Sequence, residues 1–472
     1  MTGGEYDAVV VGSGPNGLAA AITLAQEGCA VLVLEAADEA GGGLRSSQLT
    51  LPGFVHDDCA SILPLAAASP FFRCLPLAAH GLRWLTPPAP LAHPLGGAEA
   101  VLLERSPATT AEGLGVDGHR YLRLMAPLVR DQEALIGDLL GPMRLPRRPL
   151  AAARFGLPAL LPAAALARGL FREVRARSLL AGLASHSLMP LERPATSAFA
   201  LMLGMLGHTT GWPLVEGGSQ SLAKALTSHL ADLGGAIETG RPVESVDELP
   251  PARLVFLDVT PRQLVRLAGH RLSPGYRRQL ERYRYGPGVC KVDYALDDVI
   301  PWSATECRRA ASVHLGGTLA EIAAGERSIW RGRHSASPFV LLAQQSLFDP
   351  TRAPPDKHTA WAYCHVPHGS NRDVSAQIDA QIERFAPGFG RRVLARHVRT
   401  ASELEAYNPN YVGGDINGGV QDLGQLFTRP VLRRVPYATS RPGLYLCSSS
   451  TPPGGGVHGL CGYHAARAAL RG

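Results

Sequence analysis

Residues 6–11 form a short run, apolar but for Asp7, the pattern of a parallel strand buried on both faces. Residues 19–26 then take helical composition, and Gly28 supplies a stop. A second apolar run of strand length, 30–34, ends at Glu35. Strand, helix and strand in this order predict a parallel βαβ unit. Further strand-like pieces lie at 81–85, 99–104, 289–296, 313–316, 339–346 and 359–366. Helical patterning covers 121–140, 159–184 and 195–206. The longest apolar runs, near 155–171 and 199–206, are broken by Pro, Arg or Gly before the roughly 18 to 20 residues needed to span a bilayer. No transmembrane helix is expected. Nor is a signal peptide, because a strand begins almost at once with no charged leader or cleavage site.

Composition narrows the class. The 472 residues are 46% hydrophobic and 18% charged, which folds and buries a large core. The net charge of +6 comes almost wholly from arginine, since Lys occurs only at 224, 291 and 357. Scattered solvated charge is the plain reading; an anionic substrate or an acidic membrane surface is the other. No basic run is interleaved with aromatics, so nucleic acid is not an expected partner. The eight cysteines form no Cys-x-x-Cys pair. No metal site is expected, and the thiols read as reduced groups of a cytoplasmic protein.

The candidate chemistry starts at Gly12-Ser13-Gly14-Pro15-Asn16-Gly17, a G-x-G-x-x-G between the first strand and the first helix. Gly12 permits the tight turn, Gly14 lets backbone approach a pyrophosphate, and Gly17 lets helix pack on strand. The helix N-terminus offers unpaired N–H groups to phosphates. Glu35 stands eighteen residues beyond Gly17, where an acid accepts hydrogen bonds from a ribose, with Ala36 beside it. Set between two strands with the acid in place, the pattern predicts a dinucleotide site.

Gly41, Gly42, Gly43, Leu44 and Arg45 follow as G-G-x-x-R, and Gly53-Phe54 leads to Asp57. Together these resemble the second signature of the FAD-dependent phytoene dehydrogenase and amine oxidase superfamily. Cys59 stands where that family often has Gly. The resemblance continues through Pro213 to Gly217-Gly218, through Val243, whose counterpart lies against the adenine, and through the 252–261 strand. The 408–419 segment (NPNYVGGDINGG) resembles a branch holding bacterial carotenoid ketolases and pyridine nucleotide-disulphide oxidoreductase-like proteins of unassigned chemistry. The last segment, 443–470, resembles that branch's closing flavin motif, with Gly455, Gly456, Val457 and His458 in the turn. The resemblance implies non-covalent FAD; Cys461 sits in a helix start and is no attachment point.

It also implies an α/β fold. A discontinuous Rossmann-type FAD-binding domain (1–75, 211–270, 425–472) is interleaved with an α+β substrate domain (76–210, 271–424). The 145–180 stretch alternates apolar residues with arginines. It reads either as a lip that dips into a membrane surface or as cavity helices with solvated charges.

The implied reaction is a dehydrogenation or desaturation. A hydride would pass from an apolar, isoprenoid- or polyene-like small molecule to flavin N5, with oxygen, a quinone or another external acceptor taking the electrons. Two alternatives stay open: amine (C–N) oxidation in secondary metabolism, and a redox-neutral isomerase or non-catalytic flavoprotein. His458 is the first candidate for a proton acceptor, with a structural histidine as its competitor. Asp57, His208 and Trp212 are candidate cavity residues, each with a packing role as the alternative. Oligomeric state and substrate identity are not fixed by sequence.

Overall fold

The opening apolar run folds as the strand Ala8–Val11, buried at every position, and feeds the helix Pro15–Gln26. The computed structural model describes residues 6–142 and 145–471. Ala8–Val11 lies at the centre of a five-stranded parallel sheet. Val31–Leu34 and then Ala236–Glu238 lie on one side; Leu254–Leu257 and then Leu444–Leu446 lie on the other. Such strands need crossovers, which long insertions supply here.

Three helices cover this sheet near the nucleotide turn: Pro15–Gln26, Gln220–Asp232 and Leu460–Ala469. The first and last approach closely because Gly462 has no side chain. A Cβ there would fall 1.7 Å from the Asn16 carbonyl oxygen.

The second layer is a seven-stranded mixed sheet. Its order is Val393–Arg399, Gly288–Leu296, His358–Val366, Val340–Ala343, Ala310–Leu315, Ala89–Gly96 and Glu99–Leu103. All neighbours are antiparallel except Ala310–Leu315 beside Ala89–Gly96. One face packs on Ser375–Phe385 in a separate apolar core, and the other roofs a cavity. Helices Pro149–Ala159, Ala163–Leu170, Val174–Ser185 and Thr196–His208 close its side. The fold class is therefore as the sequence implied: a Rossmann-like sheet with a separate mixed sheet.

Three elements differ from the sequence reading. The 81–85 piece contributes only Trp84–Leu85, paired with Leu214–Val215 and not with the roof. Ala89–Gly96 and Val393–Arg399 are strands that patterning did not single out. After Ala236–Glu238 the chain runs as a loop to a 3-10 turn, Val246–Glu248. Among the described residues no single helix is long and apolar enough to cross a membrane. One pair, Pro149–Ala159 and Ala163–Leu170, qualifies jointly by length and composition, but bends by 99°.

Candidate functional site

A continuous cavity of about 1340 Å³ lies between the two sheets. Pockets for one small ligand run to roughly 300–1,000 Å³, so this one has room for a dinucleotide and a further molecule.

Its floor starts at the first glycine turn. Gly12 takes φ +98°, the left-handed region that glycine tolerates. Gly12, Gly14, Pro15 and Asn16 line the cavity. Gly17 does not. Its missing Cβ would lie 2.0 Å from the Gly12 carbonyl oxygen, so it serves helix-on-strand packing as expected. Gly14 faces differently from expectation. The space beside it holds the Asp258 carboxylate, 2.7 Å from where a Cβ would stand. Asp258 Oδ2 also accepts the Gly17 N–H at 2.9 Å. Burial pushes this carboxyl up to about 7; the Gly17 bond opposes the shift and the nearby Glu35 adds to it. Asn16 Oδ1 is buried at the helix start, and no described residue bonds it.

Glu35 and Ala36 line the cavity, as does Val243. Ser13 donates to Glu35 Oε2 from both its N–H (2.8 Å) and its hydroxyl (2.6 Å), and the Ala37 N–H donates to Oε1 (3.0 Å). The acid is thus aimed by the turn it serves. Gly42, Gly43 and Arg45 extend the wall. Arg45 Nε donates to the Gly42 carbonyl at 3.1 Å, and its guanidinium lies 4.4 Å from the Tyr407 ring centroid. Leu44 points into the apolar core, fully buried, so it holds the segment down and does not face the cavity.

The C-terminal turn arrives from the other side, with Gly455, Gly456 and Val457 on the wall. Packing requires glycine at two of these positions. A Cβ on Gly455 would stand 2.9 Å from the Asn417 carbonyl oxygen, and one on Gly456 would meet Leu65 Cδ1 at 2.5 Å. The 408–419 segment is a strap over the groove. Asn410 Nδ2 donates to the Asp258 carbonyl (3.1 Å), and the Thr260 N–H donates to Asn410 Oδ1 (3.0 Å). Arg429 donates to Asn417 O and Ser449 O, tying strap to terminal segment.

Three expected residues are placed elsewhere. His458 is fully buried off the cavity wall. Its Nε2 donates to the Gly454 carbonyl (3.2 Å), and the Leu460 N–H donates to its Nδ1 (3.0 Å). Burial pushes it down to about 4. With both nitrogens on backbone it caps the terminal helix, which corrects the expectation of a proton acceptor. Asp57 is a structural tie. It accepts from Ser46, Ser61 and the Ser219 N–H, and pairs with the buried Arg352. Burial alone would raise its carboxyl; Arg352 and these bonds hold it below the usual value. His208 is clamped between the Tyr121 hydroxyl (2.6 Å) and the Glu104 carbonyl (2.8 Å), away from the cavity. Trp212 does line it, its Nε1–H donating to Leu203 O at 3.2 Å. Cys461 donates to the Thr451 and Gly454 carbonyls, and burial pushes its thiol up to about 12.

Sequence reasoning missed Asp258, Lys291, His186 and Tyr407, all on the wall. Lys291 is 3% exposed, its Nζ held on both Asp293 oxygens and 5.8 Å from the Trp361 ring. It is one of three lysines in a chain that otherwise uses arginine, a signal available from sequence.

Comparison with known proteins fits this architecture. Residues 10–75 match the NAD(P)-binding Rossmann-like domain family. The mouse pyridine nucleotide-disulfide oxidoreductase domain-containing protein 2 is 28% identical, over 99% of this chain and 94% of its own length. Among solved structures, an oxidoreductase from Methanosarcina mazei superposes with TM-score 0.64 at 16% identity, covering 98% of this chain and 100% of its own. Wild-type putrescine oxidase bound to putrescine gives 0.63 at 17%, covering 99% of each. The chain thus carries a Rossmann-like dinucleotide domain, has an oxidoreductase-domain protein as a full-length homologue, and shares an amine oxidase-like fold.

Proposed function

We propose that the protein is an FAD-dependent oxidoreductase that takes hydrogen from an apolar small molecule held under the mixed sheet, with an external electron acceptor. The carrying observation is that glycine turns from both ends of the chain meet on one wall of a cavity that continues beneath apolar helices. The residues fit the cofactor. The Pro15–Gln26 N-terminus would take the phosphates, Glu35 the ribose, Val243 the adenine side, and Gly42, Gly43 and Arg45 with Gly455 to Val457 the remainder. Asn16 Oδ1 stands ready for a donor. Bound FAD would supply a two-electron acceptor. The chain's own residues shape and dry the chamber. Phe155, Phe199, Met202, Leu203 and Leu341 exclude water, and Lys291, its Nζ paired with Asp293, closes the wall. The exposed Leu150, Leu157 and Leu161 lie on or beside the helix that carries Phe155 and Ala159 into the cavity. A membrane surface is the partner they suit, with the isoprenoid-like substrate entering there.

Purified protein should be yellow, and Gly14→Val should be colourless. Anaerobic mixing with lipophilic C–H donors should bleach the flavin, and mass spectrometry should find such a ligand co-purifying. A colourless wild-type protein overturns the reading. The second reading, amine oxidation, is supported by the likeness to putrescine oxidase. Bleaching by amines alone, with peroxide release in air, would establish it.

A further inference from the structure

The cavity face of the mixed sheet carries one row of residues in register. Lys291 lies opposite Tyr363, Tyr363 opposite Leu341, and Leu341 opposite His314. Opposed residues on antiparallel strands share a face, and three strand spacings span about 14 Å. The Lys291 end adjoins Cys59, which packs against Gly43 of the glycine segment. The other end is different. His314 is fully buried, and its Nε2 lies 3.1 Å from His186 Nε2. His186 follows the helix Val174–Ser185, lines the cavity and meets the Trp212 ring edge-on at 5.7 Å. No described residue bonds its Nδ1.

Beside this pair stands His93, not bonded to it. His314 Nδ1 and His93 Nδ1 are both buried without a protein partner. Both stand within 2.9 Å of the point where a Cβ on Gly182 would lie. His93 Nε2 bonds the Gly317 carbonyl at 2.8 Å. Burial pushes His186 down to about 3 and His93 to about 4, and holds His314 well below the usual histidine value, so all three are neutral. Among the described residues no group of three or more His, Cys, Asp or Glu could hold a metal ion. Neutral imidazoles buried in an apolar setting serve no packing need that Leu or Phe would not meet better, and unpaired polar atoms are costly.

We propose that His186 is the polar anchor for the far end of the substrate, an extended apolar molecule carrying a neutral hydroxyl or carbonyl about 14 Å from its reacting end. His314 is a positioning residue that fixes the His186 ring. This rests on the cavity being the substrate chamber of the proposed oxidoreductase, with the Lys291 end nearest the cofactor. A neutral anchor suits a neutral group, because an ion would lose its hydration in this apolar setting.

The test uses the FAD-loaded protein with 1-decanol and decane, each delivered from cyclodextrin, and reads tryptophan fluorescence, for which Trp212 is an adjacent reporter. The alcohol should bind about 2- to 10-fold more tightly than the alkane. His186→Leu should abolish that preference while decane binding holds or tightens, and His186→Gln should restore it. Equal affinities in the wild type, the same preference in His186→Leu, or no binding of either probe would overturn the proposal. Failure of the oxidoreductase reading shows separately, as absent flavin absorbance or flavin that no donor bleaches.

Discussion

Asp258 stands where the last central strand reaches the first glycine turn, and its carboxyl titrates near 7. The unfolded chain releases this proton near pH 4. Between those values the native protein holds one proton more, so this group's contribution to stability is complete below about pH 4 and is lost as pH rises through 7. Asp258→Asn should therefore melt progressively higher than wild type from pH 4 to 8, and its FAD affinity should be flat where the wild type's weakens above pH 7. Parallel curves would refute the assignment. Lys291 offers a second check. Lys291→Met leaves the buried Asp293 with only His56 and His397 at 3.8 Å, and should cost about 3–5 kcal/mol in denaturant unfolding. Adding Asp293→Asn should recover most of it. Gly12 and Glu35 were readable from sequence because their constraints act within a few residues of backbone. Asp258 was not, because it meets Gly17 across 241 positions and nothing near it in sequence announces the turn. His186 and His314 are separated by 128 positions in the same way.

Helices and strands carry constraints of their own. The contact between Pro15–Gln26 and Leu460–Ala469 depends on Gly462, so Gly462→Ala should push the last helix off the nucleotide turn. A loss of about 1–3 kcal/mol and poor retention of yellow colour through gel filtration are expected. The helix Pro149–Ala159 has a different vulnerability, since Leu150 and Leu157 are 64% and 72% exposed. Leu150→Glu with Leu157→Glu should abolish sedimentation with anionic phosphatidylglycerol vesicles and leave the melting temperature within a degree or two. The strands that patterning missed have physical reasons. Ala89–Gly96 holds Pro90 and Pro94, which argue against an inner strand, yet a register shift beside Pro94 absorbs one of them. Val393–Arg399 (VLARHVR) shows no apolar–polar alternation to announce it and carries Arg and His because it is a sheet edge, half exposed along its length.

Among the described residues, burial holds His56, His93, His186, His208, His314 and His458 well below the usual histidine value. In the unfolded chain each would take a proton near pH 6.5, whereas native His56, His93, His186, His208 and His458 wait until about pH 3 to 4. As pH falls from 6.5 to 4 the unfolded state binds more protons, so native stability falls steeply. Calorimetry should show the melting temperature dropping through that window, more steeply than the Asp258 contribution alone can offset. A flat profile would mean the rings are solvated. The path of the chain through the parallel sheet has a consequence for biogenesis. Ala8–Val11 leaves the ribosome early with Val31–Leu34, but its other neighbour, Leu254–Leu257, is more than 200 residues behind. At about 5–20 residues per second, one flank of the nascent first strand stays bare for roughly 10 to 50 s. A ribosome that stalls between residues 34 and 254 therefore releases a product whose central strand has one open margin.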